Sequence, residues 1–570
     1  MRRPFAGALA AAGFWAGLAA CGGGPQPVTK PVPAPSGGTA GRAVGETSAL
    51  PPIPHVSGPL AIAVVYPRPG ALIMSRDSNF ILGSVGTGDA TLTINGTTVA
   101  VRPNGAFLAW LPVPDSATSR YALVAIAGPD TVRVSHPVRL LPPPSPQDTL
   151  VDTIALLPRS FPDSGRFVSI TPTDTTMPDT DRTVIARPVA GGTYKWFLLS
   201  GTVLQVTGRS PGYERVRLDE SLDAWISLGD ARMTPLASAA RPPQRVVGAV
   251  RVVPAPGWED VVLSVGDRPP FEVEEDGNDL VLTLYSTQAS TSLIHYVGRL
   301  GGPLGPPDTL VESVTWSQET RDRARYTVHL SRPPYGYQVM WTGSAFVLRV
   351  RRPPVVDPQS PLHGLTIAVD AGHPPAGSTG PTGLYEPVPT LAVAQKVEAL
   401  LIARGATVVM TRATGDAVSL TSRPVTARRF NANALVSIHL NALPDGMNPF
   451  ISHGTGSYFF HPHSIALARA LQTGMVISMG LRDLGIHYDN LALVRPTWMP
   501  AVLCEGAFII IPEQEAALRT DEFQSAYARG VVAGLESYFR SFIPEPAPRI
   551  APAPGASSAP SSAVTPASGP

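Results

Sequence analysis

Residues 365–377 read LTIAVDAGHPPAG. Leu365, Ile367, Ala368 and Val369 form a short apolar run of the kind that makes a buried strand. Asp370 and His373 arrive where that strand must end and the chain must leave the core. Titratable groups placed there cost free energy unless something at the strand end uses them.

Working outward, the same grammar repeats. "TLAVAQKVEALLIARG" (390–405) places Leu391, Ala394, Val397 and Leu401 at helical spacing, with Gly405 suited to the stop. "TVVMTR" follows as a strand, then a helix near 419–432, then the strand "ALVSIHL". "GTGSYFF", a helix over 464–480, the strand "PAVLCEGAF" and a final helix over 521–541 complete the series. Apolar strands alternating with helices predict an α/β domain with a mainly parallel, helix-covered sheet. In such sheets ligands sit outside the carboxyl ends of the strands.

Three polar intrusions fall at such ends: His373; His439 with Asn441 just beyond it; and Glu505 in an otherwise apolar run. Two imidazoles and one carboxylate, leaving an open coordination position, are a common ligand set for hydrolytic zinc. His373 and His439 supply the imidazoles, and Glu386 and Glu505 are both candidate carboxylates. A carboxylate beside the metal that is not a ligand can move the proton from water to a leaving amine. Two histidines and a glutamate would also hold other divalent ions. There is no HExxH helix.

Five stretches, "VDAGHPPAGSTGPTGLYEPVPTLAVA", "MTRATGDAVSLTSR", "LVSIHLNA", "GTGSYFF" and "AVLCEGAFI", stand in the order found in one family. Over about residues 362–542 the chain resembles the zinc-dependent N-acetylmuramoyl-L-alanine amidases. The resemblance puts His373, Glu386 and His439 on the ligands of one zinc ion and Glu505 on the catalytic acid/base. It implies hydrolysis of the amide between N-acetylmuramic acid and L-alanine of the stem peptide, in wall remodelling or daughter-cell separation. Pro374-Pro375 replaces a common glycine pair, and Thr390 stands where asparagine is usual. Some division amidases plug the site with a long helix after the SIHxNA strand. Here 14 residues separate His439 from Gly454, too few for that device.

Two other readings stay open: a non-catalytic lipoprotein that only binds peptidoglycan, and a zinc hydrolase of this fold acting on a peptide cross-link. Glu505 speaks against the first, since binding needs no proton shuttle. Asn441 and Arg495 are candidate substrate contacts, with a structural ion pair the alternative for Arg495. His453, His461, His463 and His487 read as surface loop residues. Cys504, next to Glu505 on a strand, should point to the opposite face as an inert buried thiol.

Ahead of this domain the sequence is multidomain and all-β. Pro 63 and Gly 53 make up over a fifth of the 570 residues, so turns, linkers and short strands must take much of the chain. The start, MRRPFAGALAAAGFWAGLAACGGG, carries Arg2, Arg3, an apolar run and Leu18-Ala19-Ala20-Cys21. This resembles a bacterial lipobox: a signal peptide over 1–20, lipidation at Cys21, and a membrane anchor on the periplasmic side of the envelope. The absence of an aspartate after Cys21 points to the outer membrane. A Pro/Gly-rich tether (21–58) leads to an immunoglobulin-like β-sandwich (59–142). A linker (143–184), a small barrel resembling bacterial SH3 domains (185–240) and a β unit resembling the AMIN domain (245–353) follow. The catalytic domain (362–543) ends in a disordered tail (544–570). The net charge of +1 excludes a general nucleic-acid binder. Peptidoglycan is the expected partner, together with division or envelope proteins.

Overall fold

A computed structural model describes residues 50–115, 119–141, 166–174, 183–237, 243–297, 309–543 and 569. The expected signal peptide, Cys21, most of the tether, much of the linker and nearly all of the tail lie outside the described residues. No helix among the described residues is long and apolar enough to cross a membrane.

The chain is multidomain, with a largely β N-terminal region and a C-terminal α/β domain. Residues 60–141 form two antiparallel sheets, of three and four strands, around Ile81, Leu92, Phe107, Tyr121 and Leu123. Asn95 and Gly96, at φ 49 and φ 80, make the tight hairpin that the Asn-Gly pair requires. Within the stretch read as linker lies a strand, Phe167–Pro172, paired with Thr202–Ser210 and Ala231–Pro235. Its alternating buried Val168 and Ile170 join the core around Trp196, which explains why a Pro/Thr-rich neighbourhood still holds a strand. The two β units that follow are not separate sheets. Phe197 pairs with Phe271, joining them edge to edge in one sheet of 11 strands. A second sheet of 5 strands packs on the latter half of it.

In the C-terminal domain we number strands β1 (Thr366–Ala371), β2 (Thr407–Met410), β3 (Ala434–Asn441), β4 (Thr455–Phe459), β5 (Asp483–Tyr488) and β6 (Ala501–Phe508). The helices are α1 (Pro387–Ile402), α2 (Ser422–Arg429), α3 (Ile465–Met479), α4 (Pro512–Leu518) and α5 (Asp521–Arg540). The sheet order is β2-β1-β3-β6-β4-β5, parallel throughout except between β6 and β4. One face, with Ile367, Val369, Val436, Ile438, Val502 and Cys504, is buried under α1, α3 and α5. There α3 and α5 approach closely because a Cβ on Gly474 would meet the Gly530 carbonyl at 2.3 Å.

The other face departs from the expected covered sheet. Ala368, Leu435 and Ala501 pack under α2 and Leu493 to Met499, at the N-terminal part of the strands. A strand alternates its side chains, so His439 and Glu505 share this face further along. The thin cover leaves the strand ends free to carry a site.

The β units grip both ends of this sheet. Arg351 donates to the carbonyls of Ala432 and Trp498, each at 2.8 Å, just ahead of β3 and β6. At the opposite end, Asp445 accepts from Met74 N at 2.7 Å and Asn79 Nδ2 at 2.8 Å, and from the Tyr66 hydroxyl. Phe80, Leu82 and Leu108 of the first β unit belong to the same buried cluster as β1 and α1.

Candidate metal centre and its surroundings

His373, Glu386 and His439 come together with their ligand atoms within 4.8 Å of one another. Each arrives by a different route. His373 follows β1 in the left-handed region, at φ 58. Histidine tolerates that conformation better than most residues, and such strain concentrates at functional sites. His439 lies near the end of β3. Glu386 stands immediately before α1, where Pro387 and Pro389 start the helix without losing a needed N–H.

The Glu386 carboxylate spans the two imidazoles. Oε2 lies 3.3 Å from His373 Nε2, and Oε1 lies 3.3 Å from His439 Nδ1. Ser378 N donates to Oε2 at 2.9 Å and Leu440 N to Oε1 at 3.1 Å, orienting both oxygens. Burial alone would raise the Glu386 carboxyl, but the two imidazoles hold it well below the ordinary carboxylate range. His373 is pushed the other way: burial opposes its charge, and Glu386 more than offsets this and raises it.

The arrangement fits a metal ion. His439 Nδ1 is buried and makes no hydrogen bond, an uncommon state for a ring nitrogen unless something else uses its lone pair. His373 Nδ1 faces the Pro375 carbonyl at 3.4 Å, which leaves Nε2 as the acceptor. Ligands about 2.0–2.1 Å from a tetrahedral zinc lie roughly 3.3 Å apart; each imidazole nitrogen stands 3.3 Å from a different Glu386 oxygen, and one ligand atom from each residue falls within 4.8 Å of the others.

Glu505 is the direct strand neighbour of His439 across the β3–β6 pair, and of Gly456 on β4. Behind this pair, the Tyr527 hydroxyl donates to the carbonyls of Cys504 at 2.8 Å and His439 at 3.2 Å. Cys504 is fully buried on the helix-covered face, and burial pushes its thiol far up. Asn441 lies buried at the end of β3, beyond a register shift that follows His439.

Arg495 is elsewhere. It precedes β6, at the end of the sheet away from Glu505. Its guanidinium donates to Asn490 at 2.7 and 2.8 Å and lies 4.4 Å from the centre of the Tyr194 ring. These contacts are hydrogen bonds and a ring contact rather than the structural ion pair named above. The reading of His461 and His463 is corrected: they are buried against Glu275 of the preceding β unit, not on the surface. His463 Nδ1 is 2.7 Å from Glu275 Oε1, and the two imidazoles stack at 5.3 Å.

Several residues that build the site were given no role by the sequence, although Asp370 stood out there as a titratable group at the end of β1. Asp370, fully buried, pairs with Arg423 at 2.9 Å and accepts from Ser437 Oγ at 2.5 Å and from Thr411. Arg423 and Arg412 then bind the carbonyls of the loop after β1. Arg423 reaches those of Ala371, His373 and Pro374 at 2.7–3.0 Å, and Arg412 those of Ala371 and Gly372 at 2.9 and 3.0 Å. Asp370 is thus the counter-charge of the arginine clamp around His373. Thr390 donates to Gly372 O at 2.8 Å, tying the start of α1 to the loop after β1. Two arginines in the quoted stretch "MTRATGDAVSLTSR" were the available signal; their burial was not visible.

Residues 367–537 match the model of the family described as Amidase_3, N-acetylmuramoyl-L-alanine amidase. The chain is 30% identical over 209 residues to the uncharacterized protein YqiI of Bacillus subtilis, covering 35% of this chain and 98% of that protein. It is 32% identical over 186 residues to the probable cell wall amidase LytH of Staphylococcus epidermidis, covering 32% of this chain and 61% of LytH. It is 30% identical over 188 residues to the N-acetylmuramoyl-L-alanine amidase LytC of Bacillus subtilis, covering 32% of this chain and 37% of LytC.

Proposed function

Because this chain belongs, through residues 367–537, to the N-acetylmuramoyl-L-alanine amidase family, we propose that it hydrolyses the amide joining the lactyl group of N-acetylmuramic acid to L-alanine in peptidoglycan. The observation that carries this reading is the convergence of His373, Glu386 and His439 beside Glu505. In the proposal the first three hold one zinc ion. When bound, zinc supplies Lewis acidity, polarising the scissile carbonyl and lowering the pKa of a water.

The remaining chemistry falls to the chain. Glu505 takes the proton of the attacking water and returns it to the departing nitrogen. The water oxygen first bonds to the carbonyl carbon, and the C–N bond then breaks as the nitrogen receives the proton. Without that proton the nitrogen would leave as a strongly basic anion, so the shuttle is worth roughly two to four orders of magnitude in rate. Glu386, fixed by Ser378 N and Leu440 N, sets the positions of both imidazoles. The Asp370–Arg423 pair and Arg412 hold the loop of His373.

Residues 1–21 support a lipoprotein anchored through Cys21 to the outer membrane, on its periplasmic side. The proposed roles of the intervening β units, immunoglobulin-like, SH3-like and AMIN-like, are to carry the catalytic domain from the anchor to the wall. Incubating the full chain with purified peptidoglycan and analysing the soluble products by mass spectrometry tests the reaction. Released stem peptides with a free L-alanine amino terminus support it. Cleaved cross-bridges would make the chain a peptidase, and no release with retained binding would make it a wall-binding lipoprotein.

A further inference from the structure

We infer that Glu515, on α4, is a positioning residue for the metal centre: it holds the hairpin that presents Glu386. This rests on the reading of His373, Glu386 and His439 as a zinc site.

The hairpin runs from Ser378 to Glu386 and is tightly self-bonded. Glu386 N donates to Ser378 O at 3.0 Å and Gly380 N to Leu384 O at 2.9 Å, and Gly383 N closes the tip on Gly380 O at 2.9 Å. Ser378 N returns a bond to the Glu386 carboxylate at 2.9 Å. A segment bonded in this way moves as a body, so a hold on its outer edge is a hold on Glu386.

Glu515 supplies that hold. Its carboxylate is fully buried and accepts from Thr382 N through both oxygens at 3.0 Å, and from Leu384 N through Oε1 at 3.0 Å. Arg519, one turn later, lies 3.5 Å away. Gly380 packs so closely that a Cβ there would stand 2.6 Å from the carboxylate carbon. Burying a carboxylate costs several kcal/mol on the order-of-magnitude scale unless such bonds compensate it.

The position of α4 gives the contact its consequence. α4 begins four residues after β6, the strand of Glu505, so Glu515 links the Glu505 strand to the Glu386 hairpin. Its neighbour Glu513 pairs with Arg102 of the first β unit at 2.6 Å. The carboxylate itself contacts neither the ligands nor the reacting atoms. Its effect must pass through the backbone of residues 382 and 384.

The test uses the full chain and its Glu515→Ala, Glu515→Gln and Gly380→Ala variants. Zinc affinity is measured by competition with a chromophoric chelator, and kcat and KM by stem-peptide release. Far-UV circular dichroism reports the fold. Outer partners of metal ligands typically contribute 10- to 100-fold to metal affinity. Glu515→Ala is expected to weaken zinc binding by that range and to lower kcat more than it raises KM. Glu515→Gln, which keeps an acceptor oxygen for both amides, is expected to stay within about threefold of wild type. Gly380→Ala pushes hairpin and carboxylate apart without removing a buried charge, so it decides the matter if Glu515→Ala does not fold. It is expected to weaken zinc binding.

Wild-type zinc affinity in Glu515→Ala, or in Gly380→Ala where the first variant is unfolded, would overturn the inference. So would a Glu515→Gln variant as impaired as Glu515→Ala. A wild-type chain that binds zinc but releases no stem peptide overturns the amidase reading alone, and the affinities still decide the role of Glu515. A wild-type chain that binds no zinc overturns both.

Discussion

Gly372 lies against the His439 ring: a Cβ on this glycine would stand 2.6–2.7 Å from three of its atoms. The imidazole can occupy its place only because residue 372 has no side chain. Gly372→Ala is therefore expected to shift the ring and weaken zinc binding by about 10-fold or more while the fold survives. Equilibrium zinc titration beside circular dichroism checks this, and unchanged affinity would mean the ring relaxes without consequence.

Arg423 and Asp370 form a buried pair, 3% and 0% exposed at their side chains. Removing one partner leaves a charge uncompensated in the core, typically costing about 3–5 kcal/mol. Arg423→Ala should lower the thermal transition of the C-terminal domain by several degrees. Adding Asp370→Asn should recover part of the loss, because the orphaned charge is gone. Differential scanning calorimetry of the two variants reads both steps.

The C-terminal domain is continuous with its neighbours. Phe80, Leu82, Leu108 and Tyr335 lie in its principal core cluster. A fragment of residues 355–543 would expose the surfaces they cover, at about 1.5–3 kcal/mol for each large side chain lost. It is expected to bind the dye ANS and to melt below the same domain in the full chain. Equal melting temperatures would show the contacts to be dispensable.

Acid should loosen the junction at Glu275, His461 and His463. Burial, then the neighbouring His463, lowers His461 from its ordinary 6.5 to about 4. A histidine depressed on folding adds stability that is complete above pH 6.5 and is lost as pH falls toward 4. Glu275 acts in the same direction. Burial would raise it, but His463 and His461 hold it low, so its contribution disappears as pH falls through its folded value. The groups facing this pair are Tyr337, which stacks edge-on to both rings, and the carbonyls of Arg495 and Met499. Between pH 6.5 and 4 His461 accounts for up to about 3 kcal/mol of stability. His461→Gln should flatten the dependence of melting temperature on pH in this window; an unchanged slope would assign acid sensitivity elsewhere.

The candidate metal residues were only partly legible in the sequence. His373 and His439 end apolar strands, whereas Glu386 was set apart from Glu505 by the family resemblance alone. Parallel pairing then brings strand ends together whatever their separation along the chain. The supporting residues gave no such signal. Glu515 meets Thr382 across 133 positions, and Asp445 meets Asn79 across 366, so their partners follow from packing alone. Arg495 shows the converse. An arginine near the last core strand has the chemistry to bind a carboxylate, but its contacts with Asn490 and Tyr194 ahead of that strand follow from packing. The joined sheet of 11 strands was hidden for the same reason: the Phe197–Phe271 pairing bridges two segments whose local patterns are complete without it.

In the proposed mechanism His373, Glu386 and His439 hold zinc while Glu505 moves the proton. Zinc content and stem-peptide release, measured together on the full chain and its Glu505→Gln variant, test it most directly. About one zinc per chain is expected in both proteins, with stem peptides bearing free L-alanine released by the wild type only. Release by Glu505→Gln at the wild-type rate would contradict it, as would a zinc-loaded wild type that leaves the lactyl amide intact.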